Sequence, residues 1–299
     1  MNKFKGLISL LVLSLLIFSL TGGDCGKQTT EPVATRTVTP PQNVKLVLKA
    51  TPIDSTSSPG FYAVVSWDAS TDEDITDFKG YRVITVELNN SNNSRSIFQE
   101  QAIGKSTHTH TIYNLLVNKI KYQTYVVSEL TDGTKSDSMK TPVYAGIFYD
   151  TTGSIDSYNS SDNSQSGYGW DLNTGKGTKY SYDPDNSKKI DLHLREESTG
   201  ELFFKSPDFL DGLVKIYKYT KMILVGFGQD AFDETMIDKP DSLFRTEAHV
   251  ITDGVYLLET QEGNYIKIWV KKYEAEGNPS YYNVQFYYKV QPIAGLKVL

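Results

Sequence analysis

Cysteine, histidine and positive charge are scarce in this sequence, and each shortage excludes a class of function. One cysteine and four histidines in 299 residues exclude an internal disulfide framework and every zinc or iron–sulfur site built from several cysteines. The 36 acidic residues outnumber the 30 basic ones, which gives a net charge of −6. Nucleic-acid binders carry basic patches and a high isoelectric point, so this balance argues against a nucleic-acid partner.

Sequence signatures of catalysis are also missing. Neither a Gly-x-Ser-x-Gly nucleophile elbow nor a His-Glu-x-x-His zinc motif occurs. Gly167 and Gly169 lack the third glycine of a dinucleotide-binding loop, because Leu172 occupies its position. The P-loop-like stretch 173–177 has Trp170 where the first glycine of that motif should stand. We therefore predict that the protein is not an enzyme and has no resident cofactor.

The amino terminus has the features of an export signal. Two lysines precede an apolar run from residue 7 to 20, which is short for a membrane span of about 20 residues. The small residues at 21–23 and the following Cys25 resemble the lipobox of bacterial lipoproteins. This resemblance implies a signal peptide at 1–24 and a diacylglyceryl group on Cys25. Ordinary cleavage after Gly23 with secretion is one alternative, and a retained anchor helix is another.

The lipobox resemblance also implies a location. A lipidated cysteine holds the protein on a membrane, so the expected site is the cell envelope, and Gly26 favours sorting to the outer membrane. Residues 25–41 contain threonine and proline without apolar periodicity, which predicts a flexible tether after the lipidated cysteine.

Residues 42–142 have the pattern of short, half-buried strands. Ala63, Val65 and Trp67 alternate with their neighbours, as the residues on one face of a strand do. Asp132-Gly133 is typical of a hairpin turn. About seven such strands, separated by turn residues, predict a β-sandwich.

Several motifs in this stretch resemble a fibronectin type III domain of the immunoglobulin-like class. They are Val-Ser-Trp-Asp at 65–68, Gly-Tyr-Arg-Val at 80–83, and Leu115 seven residues before Tyr122. The resemblance implies that Trp67 fills the core on the second strand and that the Tyr122 hydroxyl bonds to upstream backbone. It also implies a spacer or interaction module.

A cluster of carboxylates lies between the second and third predicted strands. Asp68, Asp72 and Asp74 belong to it, and Ca²⁺ favours several carboxylate oxygens. These three residues are therefore candidate Ca²⁺ ligands, although their spacing is not that of an EF-hand. The alternative is a solvated turn.

Residues 143–299 predict a second β-rich, sandwich-like domain, so the fold class is mainly β throughout. In the last strand, 281–290, Val284, Phe286 and Tyr288 share an apolar face, and the opposite face is polar and aromatic. Residues 210–217 fit helix spacing, whereas 221–227 resemble a buried strand.

The strand pattern of this second part resembles HmuY-like haem-binding lipoproteins. The resemblance rests on three features: the strand Ile190-Asp-Leu-His-Leu194, the predicted pair of strands within 255–268, and the tyrosine-rich strand at 281–288. It implies axial ligation of haem iron, for which His193 and His249 are the candidates in this half. The alternative places His193 on the polar surface of its strand.

Aromatic residues supply a further binding hypothesis. Trp170 with Tyr168, and Tyr281 with Tyr287, are candidates for a stacking platform, because such rings combine apolar area with a polar handle. The alternative is that Trp170 belongs to the core.

The sequence thus predicts a non-catalytic, lipid-anchored envelope protein that contacts a protein or glycan partner. The alternatives are a haem-capture lipoprotein and an accessory carbohydrate-binding protein.

Overall fold

The computed structural model describes residues 37–53, 60–88, 94–117, 120–158, 165–210, 216–235, 239, 241–276 and 281–299. The predicted signal peptide, the lipidated Cys25 and the tether up to residue 36 lie outside these ranges. Thr37–Leu299 form one compact unit. Within the described ranges, no helix has both the length and the apolar character needed to span a bilayer.

The described residues of the N-terminal sandwich form eight strands. They are β1 (Gln42–Ala50), β2 (Phe61–Asp68), β3 (Phe78–Leu88), β4 (Arg95–Gly104), β5 (Thr109–Ile112), β6 (Lys121–Leu130), β7 (Met139–Lys140) and β8 (Tyr144–Ala145). One sheet has the order β1-β2-β5 and the other β4-β3-β6-β7, while β8 pairs with the start of β6. All these pairings are antiparallel, so the predicted β-sandwich is confirmed.

The alternation in β2 places its apolar residues between the two sheets. Ala63, Val65 and Trp67 are buried, and the Trp67 ring meets the Tyr81 ring edge-on at a centroid distance of 5.4 Å. The buried Tyr122 hydroxyl accepts a hydrogen bond of 3.1 Å from the backbone N–H of Leu116. Both roles expected for Trp67 and Tyr122 are therefore confirmed.

In the part of the C-terminal sandwich that the structure describes there are ten strands and one short α-helix. They are β9 (Phe148–Asp156), β10 (Gly167–Trp170), β11 (Gly177–Tyr180), β12 (Leu192–Glu196), β13 (Leu202–Lys205), β14 (Lys221–Phe227), α1 (Gly228–Asp233), β15 (Glu247–His249), β16 (Gly254–Glu259), β17 (Tyr265–Glu276) and β18 (Tyr281–Gln291). Its sheets have the orders β11-β10-β12-β13-β15 and β14-β16-β17-β18-β9. Apolar side chains from both sheets fill one cluster between them, so the predicted second β-rich sandwich is confirmed.

Most of the segment 210–217, which fits helix spacing, lies outside the described ranges, since these omit residues 211–215. A 3₁₀ turn at Pro207–Leu210 ends at the first residue of that segment. The chain passes from one sandwich to the other between β8 and β9, a few residues after the predicted boundary at 142, because Tyr144 still pairs with Tyr122.

The two sandwiches share a hydrophobic cluster. Leu257, Val298 and Leu299 pack with the apolar residues of the N-terminal sandwich. The N–H of Leu48 in β1 donates to the Thr235 hydroxyl at 2.8 Å, just after α1. The two sandwiches are therefore packed directly against each other along β1.

Candidate functional site

The proposed platform of Trp170 and Tyr168 is not on the surface. Trp170 is 7% exposed and Tyr168 is 4% exposed. Their rings, 5.0 Å apart, pack against Tyr288 in the C-terminal core. Tyr168 and Trp170 project into the sandwich because the core-facing residues of β10 pack against β18. The prediction that they form an exposed stacking surface is wrong.

His193 lies inside a layer of aromatic rings. Its side chain is fully buried, with the ring centroids of Tyr182 and Phe209 at 4.0 and 5.1 Å. Nδ1 lies 3.0 Å from the carbonyl oxygen of Ser166, which can only accept, so Nδ1 carries the proton. Burial lowers the pKa of His193 to about 3, which keeps the ring neutral at neutral pH. The surface position expected for His193 is therefore wrong.

The two histidines proposed as haem ligands lie apart. His193 is opposite Lys205, and Lys205 is opposite Glu247, so the exposed His249 lies two strands and two residues away. The Nε2 atom of His193 has no hydrogen-bond partner among the described residues, but it is inaccessible to solvent. An iron atom would reach it only if the rings around it moved. The described arrangement does not fit a haem site at His193 and His249.

The aspartates of the β2–β3 loop have separate protein partners. Asp68 accepts from the Asn43 amide at 2.6 Å, and Asp72 accepts from the backbone N–H of Thr39 at 2.7 Å. Asp74 is exposed. Across the described part of the chain, no three histidine, cysteine, aspartate or glutamate residues are grouped closely enough to hold a metal ion. The three aspartates are thus not brought together as Ca²⁺ ligands.

A groove of about 490 Å³ opens on the outer face of the sheet that contains β18. We call it the outer groove. Its volume is within the range of about 300–1,000 Å³ that is usual for small-molecule sites. Its lining comes from β9, β17 and β18 and comprises Thr151, Thr152, Gly153, Ser154, Lys271, Lys272, Gln285, Phe286 and Tyr287.

Two bulges on either side of β18 shape the outer groove. In β17, Val270 pairs with Phe286 and Lys272 pairs with Gln285, which leaves Lys271 as an extra residue. In β9, the two residues 151 and 152 lie opposite the single Tyr287. Bulges bend a strand and redirect its side chains, and they are over-represented beside active sites.

The β9 bulge is fixed by a buried carboxylate. Asp150 accepts from the backbone N–H and the hydroxyl of Thr152, at 2.9 and 2.7 Å. Its second oxygen accepts from the Tyr288 hydroxyl at 3.0 Å. A Cβ added to Gly153 would lie 2.4 Å from the Phe286 ring, so glycine is required there. The groove wall is therefore held in place before any ligand arrives.

Cations and aromatic rings meet at one end of the outer groove. The Lys271 Nζ lies 3.1 Å from the ring centroid of Trp269 and 5.1 Å from that of Tyr287. The Tyr287 ring meets the Trp269 ring edge-on at 5.7 Å, which fixes its orientation. Among the described residues, Lys272 forms an ion pair with Glu274 alone, in an exposed contact of 3.1 Å. Exposed pairs of this kind contribute little free energy, so Lys272 can exchange its partner.

Comparison with known proteins gives structural likenesses at low identity. A structure titled "Myokine structure" matches 37% of this chain and 98% of its own, at 17% identity and a TM-score of 0.25. The third fibronectin III domain of the human KIAA0343 protein matches 40% of this chain and 95% of its own, at 19% identity and a TM-score of 0.26. The twitchin kinase region from C. elegans matches 84% of this chain and 39% of its own, at 12% identity and a TM-score of 0.26. No family model and no curated protein matches the chain.

Strand order and the tyrosine hydrogen bond decide the class of the first half. Among the described residues, a three-stranded sheet faces a sheet of the order β4-β3-β6-β7 to which β8 adds through β6, and the hydroxyl of Tyr122, near the start of β6, accepts a hydrogen bond from the backbone of the loop before that strand. The N-terminal sandwich has a fibronectin type III-like fold. The outer groove lies on the other half, opposite the core of the C-terminal sandwich.

Tyr287 is the groove residue that the sequence offers as a binding candidate, as a platform residue together with Tyr281, and Phe286 is predicted from the sequence only as a core residue. The sequence does not identify Lys271 and Lys272, or Trp269 beside them, as binding candidates. The available signal was the failure of strict alternation in Trp269-Val270-Lys271-Lys272, where two lysines follow one another inside a strand. A bulge in the fibronectin type III-like half would break the alternation in the same way. The sequence pattern alone therefore does not locate a groove.

Proposed function

We propose that this chain is a non-catalytic, lipid-anchored protein of the cell envelope. In this proposal Cys25 carries the lipid, and the fibronectin type III-like sandwich serves as a spacer. The C-terminal sandwich contacts a protein or glycan partner through the outer groove. The observation that carries the binding role is the groove itself, since two bulges on either side of β18 build a polar and aromatic concavity of about 490 Å³.

Export and anchoring are supported by the amino-terminal sequence. The lysines, the apolar run and the small residues before Cys25 together form the lipoprotein-like signal. Each acyl CH₂ buried in a bilayer contributes about 0.8 kcal/mol, and stable anchoring requires more than one chain. A diacylglyceryl cysteine meets that requirement, and the predicted outer-membrane location follows from the same signal.

Fractionation of a Gram-negative host that expresses the full chain tests this proposal. The native chain is expected in the membrane fraction and in the detergent phase after Triton X-114 partition. The Cys25→Ala variant is expected to leave that phase, because it has no thiol to lipidate. A native chain that stays in the cytosolic fraction with its amino terminus intact would refute export, and a Cys25→Ala variant that partitions like the native chain would refute lipid anchoring.

A further inference from the structure

The outer groove has a lining of one chemical character. Two lysines, Lys271 and Lys272, lie on the β17 side, and the hydroxyl-bearing residues Thr151, Thr152 and Ser154 lie on the β9 side. The Gln285 amide lies between them on β18. No carboxylate is among the described residues that line the groove. The groove therefore offers positive charge together with many neutral donors and acceptors.

The aromatic part of the groove adds a second kind of contact. Tyr287 is half-buried and stands in the groove wall, with its ring oriented by Trp269 and by Tyr149 at 6.5 Å. The face of an aromatic ring is negative, so it attracts the weakly positive C–H edges of a ring compound. A saccharide presents such C–H edges beside hydroxyl groups. It can therefore contact both the aromatic ring and the polar side chains of the groove.

Lys271 supplies the charge selectivity. It makes no ion pair with any described residue, and among those residues the rings of Trp269 and Tyr287 lie within cation–π range of its Nζ. A cation–π contact near the surface is weaker than a charge-assisted hydrogen bond to a carboxylate. An incoming carboxylate would therefore gain Lys271 as a partner and would compete with Glu274 for Lys272.

We propose that the outer groove binds an acidic saccharide, with a sugar ring against Tyr287 and its carboxylate at Lys271 and Lys272. This inference deepens the proposed binding role and rests on it. The Thr151 and Ser154 hydroxyls and the Gln285 amide meet the sugar hydroxyls. The overall net charge of −6 opposes general attraction of polyanions. Binding thus depends on this groove rather than on the charge of the whole surface.

Calorimetry on the full chain in detergent tests the proposal, with a galacturonate tetramer as the probe. Native protein is expected to bind it, and the double variant Lys271→Gln, Lys272→Gln is expected to bind at least about tenfold more weakly, a change of about 1.4 kcal/mol. The methyl-esterified tetramer, which has lost its charge, is expected to show the same loss with native protein. A matched control, Lys105→Gln with Lys140→Gln, removes two exposed charges from the other sandwich and is expected to bind within about twofold of native.

Four results would overturn the proposal. They are absence of binding by native protein, equal binding by the groove variant, equal binding of the ester, and an equal loss in the control. Anionic phospholipid vesicles form a further arm, and a preference for them over the tetramer that is lost in the groove variant would assign the groove to a lipid headgroup instead. None of these outcomes alters the partition of the native chain and the Cys25→Ala variant, so failure here is distinguishable from failure of lipid anchoring.

Discussion

Lys267 and Lys289 donate to the same acceptor, the carbonyl oxygen of Phe232, at 3.3 and 2.8 Å. Both lysines are buried on the outer face of the β17–β18 pair, beneath α1. Lys267 also donates to the carbonyls of Ala231 and Glu234. These carbonyls belong to the carboxyl end of α1, where a positive charge is favoured. The two lysines thus attach α1 to the sheet, close to the contact between α1 and β1.

The lysine pair predicts a stability that increases with pH. Burial lowers the pKa of Lys267 to about 7 and that of Lys289 to about 8. In the unfolded chain both keep protons up to about pH 10.4, so between pH 7 and 10 the unfolded state binds more protons than the native state. Denaturation between pH 6.5 and 9 should show the free energy of unfolding rising by roughly 4 kcal/mol from this pair. The variant Lys267→Met, Lys289→Met should lose that rise, and an unchanged pH slope would contradict the assignment.

His193 predicts a loss of stability at the acidic end. Its native pKa of about 3 is below that of a free histidine, so the unfolded state takes up a proton first as the pH falls below about 6.5. The free energy of unfolding should decrease by roughly 2 kcal/mol from this group between pH 7 and 4.5. His193→Phe keeps an aromatic ring in the layer and should reduce the pH dependence. The exposed His249→Phe is the control and should retain the native slope, and equal slopes in all three proteins would exclude His193 as the cause.

Glu129 and Arg82 form the buried ion pair of the N-terminal sandwich. The Arg82 Nε and Nη2 donate to the Glu129 carboxylate at 2.7 and 3.0 Å, and hydrogen bonding to Arg82 lowers the pKa of Glu129 to about 2. Arg82→Met leaves this carboxylate buried with only the half-exposed Lys79, and should cost about 2–4 kcal/mol in urea denaturation. Lys79→Met removes the outer partner and should cost less than about 1 kcal/mol. Equal costs would show that the two contacts do not differ in burial as described.

Haem titration tests whether His193 is enclosed by protein or is available as a haem ligand. Because His193 Nε2 is covered by protein and His249 lies two strands away, we expect no saturable Soret shift when haemin is added to the full chain. The His193→Ala variant should give the same flat titration. A saturable Soret band in the native chain that is absent in His193→Ala would support the haem alternative and contradict the arrangement of rings around this residue.

The parts of the fold that were predicted correctly are those in which the local pattern decides which side chains face inward. The alternation of β2 and β18 and the spacing from Leu115 to Tyr122 identified core faces and the tyrosine corner. Successive side chains of a strand point to opposite faces, so the alternation of apolar and polar residues identifies the buried face without knowledge of any partner element.

The burial of polar side chains by segments distant in the sequence could not be predicted from the local pattern. His193 lies between charged neighbours in its strand, yet Tyr182 and Phe209 arrive from other segments to cover it. Lys267 and Lys289 follow the same rule, since α1, a six-residue helix without a recognisable apolar period, buries them. The outer groove was missed for a related reason, because a bulge is a property of strand pairing.

Intact mass spectrometry of the chain extracted from membranes tests the central claim, that this protein works outside the cytosol on a lipid anchor. We predict a polypeptide that begins at Cys25 and carries the added mass of a diacylglyceryl group, with or without a further acyl chain. A species that begins at Met1 with no added mass, or a processed chain without lipid on Cys25, would contradict it.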